Sequence, residues 1–289
     1  MNLRIFRWRV FCMDKTAFVV DSTADFPTDW KPPLDLYRLP LRVIVDGKEF
    51  RDGVDIDVDK LCSLMKEHHN ISTSLPSMED IIKLFEDIKS KYQQIFVVTL
   101  SQKLSGTYNA VKMVIENFGL RNFLLFDSKG VSGKIFYIVA RLMRDVLNGK
   151  RISQQNVIEY GRDCEMLFLL ESLEYLKKGG RIGKLSLFLG KLLHLKPVLK
   201  INREGEVSKA SLAMSQEDAI AKLVNMVTSF VEKVPNYVLY GGYGAIHMKE
   251  KLEQILSKFN RCDGIARVGA TVLAHTGPEV LGVLVGKAF

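Results

Sequence analysis

The strongest constraint on the fold is an alternation of short apolar runs with segments of helical spacing over the first 160 residues. The runs with the length and composition of buried strands are Thr16–Val20, Ile95–Leu100 and Asn122–Phe126. The segments with helical spacing include Met78–Tyr92, Thr107–Phe118 and Lys134–Leu147. Strands that alternate with helices of ~10–15 residues are typical of parallel βαβ units. We therefore predict a Rossmann-like α/β domain over residues 16–160.

The second half of the chain has a different pattern. Pro197–Ile201 and Val207–Ala210 flank Glu204-Gly205 and predict a hairpin, as Leu39–Val45 and Lys48–Phe50 do around Asp46-Gly47. The other predictions for this half include a helix over Leu185–Leu195 and two glycine-punctuated strands near Ala266–Leu273 and Val280–Val285. Mixed hairpins and helices predict an α+β domain over residues 161–289. A chain of 289 residues corresponds to two domains at ~100–200 residues each, with one large α/β unit as the alternative.

The first 15 residues mix arginine with large apolar side chains. Because arginine interrupts every apolar stretch and no small-residue cleavage site follows, the segment does not have the form of a signal peptide. We interpret it as a leader or upstream extension, and the alternative is a short basic amphipathic segment that contacts an anionic membrane. No later run reaches the ~18 apolar residues of a spanning helix. The four cysteines are scattered, which suits a reducing compartment, so we expect a soluble cytoplasmic protein.

The net charge of +8 is concentrated in one stretch of the chain. Between Lys177 and Arg203 there are eight basic residues and no acidic one. Such a stretch attracts an acidic protein, an anionic membrane or nucleic acid, and the alternative is a solvated helix face. Because the stretch contains a single aromatic residue, Phe188, it lacks the stacking platforms that nucleic-acid binding uses, and we expect no nucleic-acid partner.

Three polar loops follow the three predicted strands: Asp21–Asp25, Ser101–Tyr108 and Asp127–Gly133. Ligands of open parallel sheets bind at the carboxyl ends of the strands, so the three loops should lie at one edge. A helix that begins at Ser105-Gly106-Thr107 would direct its free N–H groups to the same place, and helix N-termini favour anions. The sequence therefore predicts a site for a negatively charged group.

Two further segments carry polar side chains that suit the same site. The predicted loop Ser72–Ser77 has four hydroxyls before a helix, and ordinary N-capping is the alternative to a role in binding. His275 precedes a turn fixed by Gly277-Pro278 and could donate a further hydrogen bond to the anion, although a lone histidine is more often structural.

Enzyme signatures are missing from the sequence. It contains no phosphate-binding GxxxxGK[ST] loop, no GxSxG elbow, no HExxH and no cluster with metal-ligand spacing. Asp21 and Asp127 could act as general bases or could anchor loop backbone at the ends of strands. We predict no catalytic residue, no metal and no cofactor. The alternative is a stand-alone acyl or phosphoryl transferase that uses the same anion pocket.

The loops together resemble the DegV family of fatty-acid-binding proteins. Seven segments carry the resemblance, in order from Val19 to Gly282: VVDSTADFP, TSLPS, LSGTYNAV, DSKGVSG, LEYLKKGGRIG, LHLKPVLKINREGEV and HTGPEVLG. Only the leader lies outside the region that they span. Seven segments in register make the resemblance specific.

The resemblance implies a bacterial-type lipid carrier that holds one long-chain fatty acid, such as palmitate, in a buried tunnel between two α/β domains. It implies that the carboxylate meets the hydroxyls of Thr73 and Ser105, and that Ser74, Gly106 and His275 complete the pocket. It also implies a role in lipid transport or fatty acid metabolism, in which the acid is presented to a separate fatty acid kinase. Arg181 would then lie on the face that docks this partner.

The chain departs from the family pattern at three positions. Leu75 stands where glutamine is common, Gly183 where serine is frequent, and Glu279 where glycine is usual. Glu279 would add negative charge near the proposed carboxylate unless it points outward. Chain-length preference and oligomeric state do not follow from the sequence.

Overall fold

A computed structural model describes residues 15–67, 70–183, 185 and 195–289. The leader up to residue 14 and the interior of the helix predicted over Leu185–Leu195 lie outside these described residues. Within the described part of the chain, no helix is long and apolar enough to cross a membrane.

The secondary-structure elements are numbered here in chain order. The strands are β1 (Thr16–Asp21), β2 (Asp35–Leu39), β3 (Arg42–Val45), β4 (Lys48–Arg51), β5 (Ile71–Ser74), β6 (Gln94–Thr99), β7 (Phe123–Asp127), β8 (Cys164–Leu169), β9 (Val198–Ile201), β10 (Val207–Ser211), β11 (Tyr237–Tyr243), β12 (Gly264–Arg267) and β13 (Leu281–Lys287). The helices are α1 (Val58–Glu67), α2 (Met78–Ile88), α3 (Thr107–Asn117), α4 (Gly133–Leu147), α5 (Gln154–Arg162), α6 (Glu174–Lys178), α7 (Gln216–Lys233), α8 (Met248–Leu256) and α9 (Ala270–Thr276).

The first half is built on a four-stranded parallel sheet in the order β2-β1-β6-β7. Val19 and Val97 face one side, where they pack with α2 and α3 in one apolar cluster. Phe18 and Phe96 face the other side and join a cluster that continues into the second half. Because both faces of the central strands β1 and β6 are covered, their interiors are continuously apolar and do not alternate. The predicted parallel βαβ organisation is confirmed.

The second half is built on a six-stranded sheet in the order β10-β9-β8-β13-β11-β12. Its pairings are antiparallel except for β11 with β12. Leu167 and Val283 on its outer face pack with residues of α7 and α8. Met166 and Leu284 on its inner face belong to the cluster shared with the first half. The predicted α+β character is confirmed, whereas the domain boundary at residue 160 stays a prediction.

A small sheet in the order β4-β3-β5 lies beside the first. The β3–β4 hairpin turns at Asp46 and Gly47, which have φ angles of 46° and 82°. Positive φ at both central residues is the geometry that a two-residue hairpin turn needs, and an Asp-Gly pair supplies it. The predicted hairpin is confirmed, although Leu39 ends the parallel strand β2 and does not begin β3.

Two predicted assignments were wrong. Ile71–Ser74, predicted as part of a loop region, is strand β5, because β3 offers it an antiparallel partner. The segment around residue 160, where the domain boundary stays a prediction, contains α5, which begins with a capping box between Ser153 and Asn156. The strand predicted near Ala266–Leu273 ends at Arg267, and helix α9 follows.

Helix α9 forms because two aspartates of the first half cap it. Asp25 Oδ1 accepts the N–H of Gly269 at 2.9 Å, and Asp52 accepts the N–H groups of Ala270 and Thr271 at 3.2 Å each. These carboxylates satisfy donors that the first turn of a helix leaves unpaired. The caps come from more than 200 residues away, so no local pattern could indicate them.

Asp25 also ties α9 to the start of α4, because its Oδ2 accepts a hydrogen bond from the hydroxyl of Ser132. The carboxyl group is buried, and burial raises its pKa to about 7, even though the hydrogen bonds from Ser132 and Gly269 act in the opposite direction. The folded protein therefore holds a proton that the unfolded chain has released between about pH 4 and pH 7.

We expect the Asp25 carboxyl to make the free energy of unfolding fall as pH rises from about 4 to about 7, by on the order of 2–4 kcal/mol. Asp25→Asn removes this titrating carboxyl group. The difference in unfolding free energy between wild type and variant should therefore change between about pH 4 and pH 7. Urea unfolding at several pH values measures it. Asp29→Asn, at an exposed carboxyl of the same loop, is the matched control. Parallel curves for wild type and Asp25→Asn would contradict the assignment.

Candidate functional site

A cavity of about 190 Å³ lies between the two halves of the chain. It is bounded by the loops that follow β1, β6 and β7 and by the inner face of the six-stranded sheet. Its wall is mostly apolar, with Leu100, Leu104, Phe168, Ile201 and Val280 among the lining side chains. The loops predicted to meet at one edge of the parallel sheet therefore do so, and the inner sheet face closes the space above them.

The predicted polar residues meet in this cavity. Thr73, Ser74, Ser105 and His275 all line it, from β5, the loop before α3 and the last turn of α9. Thr73 and Ser105 are half-buried and Ser74 is exposed, so this polar cluster lies where the cavity reaches the surface. Gly106 is not among the lining residues.

Gly106 is exposed and lies beside Leu75, so that a Cβ at Gly106 would be 3.5 Å from Leu75 Cδ2. The TSLPS and LSG segments, whose Leu75 and Gly106 are 31 residues apart in sequence, therefore meet at the mouth of the cavity.

His275 contacts the cavity through Thr73. Its Nε2 lies 2.7 Å from Thr73 Oγ1, while its Nδ1 is buried against Gly179 and has no hydrogen-bond partner among the described residues. A buried N–H without an acceptor costs more than a buried lone pair without a donor, so the proton belongs on Nε2. His275 then donates to Thr73 Oγ1, which leaves the Thr73 hydroxyl hydrogen free to point into the cavity. The Nε2 of His275 is thus engaged by Thr73, and a hydrogen bond from His275 to an anion stays a prediction.

The imidazole of His275 is held neutral. Burial, together with the smaller effect of the nearby positive charge of Arg181, lowers its pKa to about 4. At neutral pH the site thus contains a hydrogen-bonding imidazole and no imidazolium.

Ser105 lies at the start of α3. Its Oγ is 2.9 Å from the hydroxyl of the buried Thr107 and accepts a long hydrogen bond of 3.3 Å from the Thr107 N–H. The first turn of α3 opens at the same point, and its free N–H groups favour a negative charge there. The partner of Ser105 is a hydroxyl, whereas a nucleophilic serine needs a base.

Arg181 lines the cavity as well, close to His275. Its Nε donates to the carbonyl oxygen of Leu104 at 3.1 Å, and its Nη1 donates to the carbonyl oxygen of Gly179 at 2.6 Å. These two bonds fix a half-buried guanidinium beside Ser105. Sequence reasoning gave Arg181 a role in partner docking, which stays a prediction, and missed its place in the cavity wall.

Glu279 points away from the cavity. Its Oε1 lies 2.7 Å from Nε2 of the exposed His247, and Glu279 is not among the lining residues. The departure from glycine at this position therefore adds no negative charge to the polar cluster.

Asp21 anchors backbone and does not face the cavity. Its carboxylate accepts from the Thr23 N–H at 3.1 Å, from the Thr23 hydroxyl at 2.5 Å and from the Leu100 N–H at 2.6 Å. Asp127 accepts from the Lys129 N–H at 2.9 Å within its own loop. Both carboxylates thus shape the loops that border the cavity. Among the described residues, no group of three or more His, Cys, Asp or Glu side chains could hold a metal ion.

The basic stretch is partly neutralised by acidic residues outside it. Lys196 Nζ lies 3.2 Å from Glu171 and Lys200 Nζ lies 3.6 Å from Glu165. Lys184 and Lys191 lie outside the described residues. The charge that this surface offers to a partner is therefore smaller than the sequence suggested.

A family model and the related sequences assign the chain to the same family. A family model described as an uncharacterised protein of the DegV family matches residues 15–288. A DegV domain-containing protein of Clostridium acetobutylicum is 32% identical over 283 residues, which cover 95% of this chain and 100% of the relative.

Two solved structures show the same fold. A fatty-acid-binding DegV family protein from Thermus thermophilus aligns with a TM-score of 0.85 at 26% identity, covering 95% of this chain and 100% of that one. A DegV lipid-binding protein from Thermotoga maritima aligns with a TM-score of 0.77 at 26% identity, covering 94% and 98% of the two chains. The predicted fold class is confirmed by these likenesses.

We expect Gly179→Ala to disturb the polar cluster, because a Cβ at this position would lie 2.0 Å from His275 Nδ1. The imidazole would have to move and lose its bond to Thr73, which should destabilise the fold by roughly 1–3 kcal/mol in thermal or urea unfolding. Gly161→Ala is the control, since its Cβ would meet only ordinary contacts of 3.5 Å or more. Equal stability of the two variants would show that His275 is not held by Gly179.

Proposed function

Because the chain belongs to the DegV family, we propose that it binds one long-chain fatty acid in the cavity between its two halves. The observation that carries this proposal is the form of the cavity, whose wall is mostly apolar and which has the polar cluster, with Arg181 beside it, at one end. An amphiphile with a single polar head matches such a site. The fatty acid binding of the Thermus thermophilus relative supports the same ligand class.

The apolar wall accounts for the affinity. Burial of a methylene contributes ~0.8 kcal/mol, so a chain of some fourteen methylenes gains roughly 11 kcal/mol before ordering costs are subtracted. An acid of about the length of palmitate would therefore bind tightly with modest help from its head group.

The polar cluster accounts for the orientation. We assign the carboxylate to the hydroxyls of Thr73 and Ser105, with Ser74 and the N-terminus of α3 at Gly106 beside them. His275 positions the Thr73 hydroxyl as a donor, since its own Nε2–H is directed at the Thr73 oxygen. Arg181 supplies the positive charge that keeps the head group ionised when water is excluded.

We further propose that the chain is a carrier in lipid transport or fatty acid metabolism and not an enzyme by itself. The hydroxyl of Ser105 pairs with Thr107, and Asp21 has its oxygens occupied by loop donors. A separate kinase that acts on the bound acid would receive it at the mouth where the carboxylate lies, with Arg181 at the docking face. We place the carrier in the cytoplasm, which suits the free thiols of Cys62, Cys164 and Cys262.

The proposal is tested by native mass spectrometry of the purified protein, followed by organic extraction of its cargo. We expect one fatty acid of about palmitate length per chain. A protein that is empty and also fails to take up added fatty acid would contradict the carrier function.

We expect Thr73→Ala and Ser105→Ala each to weaken fatty acid binding by roughly 10- to 100-fold, because each removes a hydrogen bond to a charged group. Displacement of a fluorescent fatty acid measures the dissociation constant. Ser72→Ala is the matched control, because Ser72 neighbours Thr73 on β5 but does not line the cavity. Unchanged affinity in the Thr73/Ser105 double variant would refute the head-group assignment.

We expect Arg181→Gln to reduce the preference for an ionised head group. The variant should bind palmitate roughly 10-fold or more weaker than wild type, whereas its affinity for the uncharged alcohol of the same chain length should change little. Lys178→Gln removes a charge at an exposed neighbouring position and should keep the wild-type preference. Equal losses for acid and alcohol in Arg181→Gln would point to a structural role for the guanidinium.

A further inference from the structure

A second, smaller cavity adjoins the first. It has a volume of about 20 Å³ and shares three lining residues with the larger cavity: Ser132, Met166 and Gly282. The rest of its wall comes from α4, from β11, β12 and β13, and from Asp25 and Pro27 in the loop after β1. The shared residues therefore form the partition between two spaces along the inner face of one sheet.

The second cavity exists because one row across the sheet lacks large side chains. Gly282 of β13 pairs with Phe168 of β8 on one side and with Gly242 of β11 on the other, and Gly242 pairs with Ala266 of β12. Beyond Phe168, the row therefore consists only of the small residues Gly282, Gly242 and Ala266. The depression that these residues leave runs from the larger cavity into the smaller one.

Met166 fills this depression at the partition. Its Cε lies 3.3 Å from the position that a Cβ on Gly282 would take, and its Sδ lies 3.7 Å from the corresponding position on Gly133. The side chain is thus held between β13 and the first residue of α4, and it is 7% exposed. Methionine has three rotatable bonds and fills irregular gaps, so this partition can yield more readily than a branched or aromatic one.

The partition lies at the end of the larger cavity away from the polar cluster. β13 runs from the loop after His275 into the sheet, so that Val280, Gly282 and Leu284 lie at increasing distance from that loop along the inner face. Met166 pairs with Leu284, the residue of the three that is farthest along β13. A ligand whose head lies at Thr73 would therefore direct its tail at Met166.

We propose that Met166 sets the length of acyl chain that the protein accepts, by separating the tail end of the larger cavity from the smaller cavity behind it. This inference rests on the proposed fatty acid binding. With Met166 in place the chain ends at its thioether, and without it the tail enters the space over Gly242 and Ala266.

The test is a competition among saturated fatty acids of roughly 12 to 24 carbons, measured by native mass spectrometry on wild type and Met166→Ala. Each additional methylene that finds an apolar site gains about fourfold in affinity, so two further methylenes should favour the longer acids roughly 15-fold in the variant relative to wild type. Met143→Ala is the matched control, because Met143 is also buried in the shared core but lines neither cavity.

A second substitution shows where the tail goes. A Cβ on Gly242 would meet only an ordinary contact of 3.6 Å with Val268, so Gly242→Ala should fold while it fills part of the smaller cavity. Added to Met166→Ala, it should cancel most of the gain for long chains. Met166→Val, with a smaller loss of volume, should shift the length profile in the same direction as Met166→Ala and serves if the alanine variant is unstable.

The outcomes separate the two proposals. A longer optimum in Met166→Ala that Gly242→Ala reverses would support the inference. Parallel length profiles for wild type and both Met166 variants would overturn it while fatty acid binding stood. A wild-type protein that binds none of the acids would overturn the proposed function itself.

Discussion

The arrangement of the site depends on the capping of α9 by Asp25 and Asp52. These side chains belong to the first half of the chain. They accept hydrogen bonds from the N–H groups at the start of α9, a seven-residue helix of the second half. So short a helix has little stability of its own. Its other end carries His275, which orients the hydroxyl of Thr73. The hydrogen bonds at the start of α9 therefore join the two halves. By fixing this short helix, they also position His275 in its last turn and, through it, the polar cluster.

Burial determines the charge of the ionisable groups at the two ends of α9. Burial raises the pKa of Asp25 to about 7 and lowers that of His275 to about 4, because desolvation disfavours the charged form of either group. His275 thus stays neutral across the physiological range, and Arg181 remains as the cation among the described residues that line the cavity. A site of this kind offers one positive charge and several directed dipoles to a single anion.

Much of the fold and part of the site could be predicted from the sequence. The apolar runs of β1, β6 and β7 indicated a parallel sheet, and the rule that ligands bind at strand carboxyl ends placed Ser105 at a site. Helix α9 could not be predicted, because β-branched Thr271 and Val272 favour a strand locally and the caps that enforce a helix come from distant residues. Strand β5 depends in the same way on its partner β3. The place of Arg181 in the cavity wall could not be predicted, because nothing in a glycine-rich turn indicates the carbonyl oxygens to which its side chain donates.

The cavity interrupts the apolar cluster that both halves share, and this has a thermodynamic consequence. The lipid proposed for this cavity would become part of the hydrophobic core, so occupancy and folding would be linked: binding would stabilise the folded protein by mass action, because the lipid supplies contacts to the apolar side chains of the wall. Release of the lipid into water would then expose both its acyl chain and the apolar wall of the cavity. A carrier of the proposed kind would be suited to direct transfer, in which an acceptor takes the lipid before the donor has lost the contacts that complete its interior.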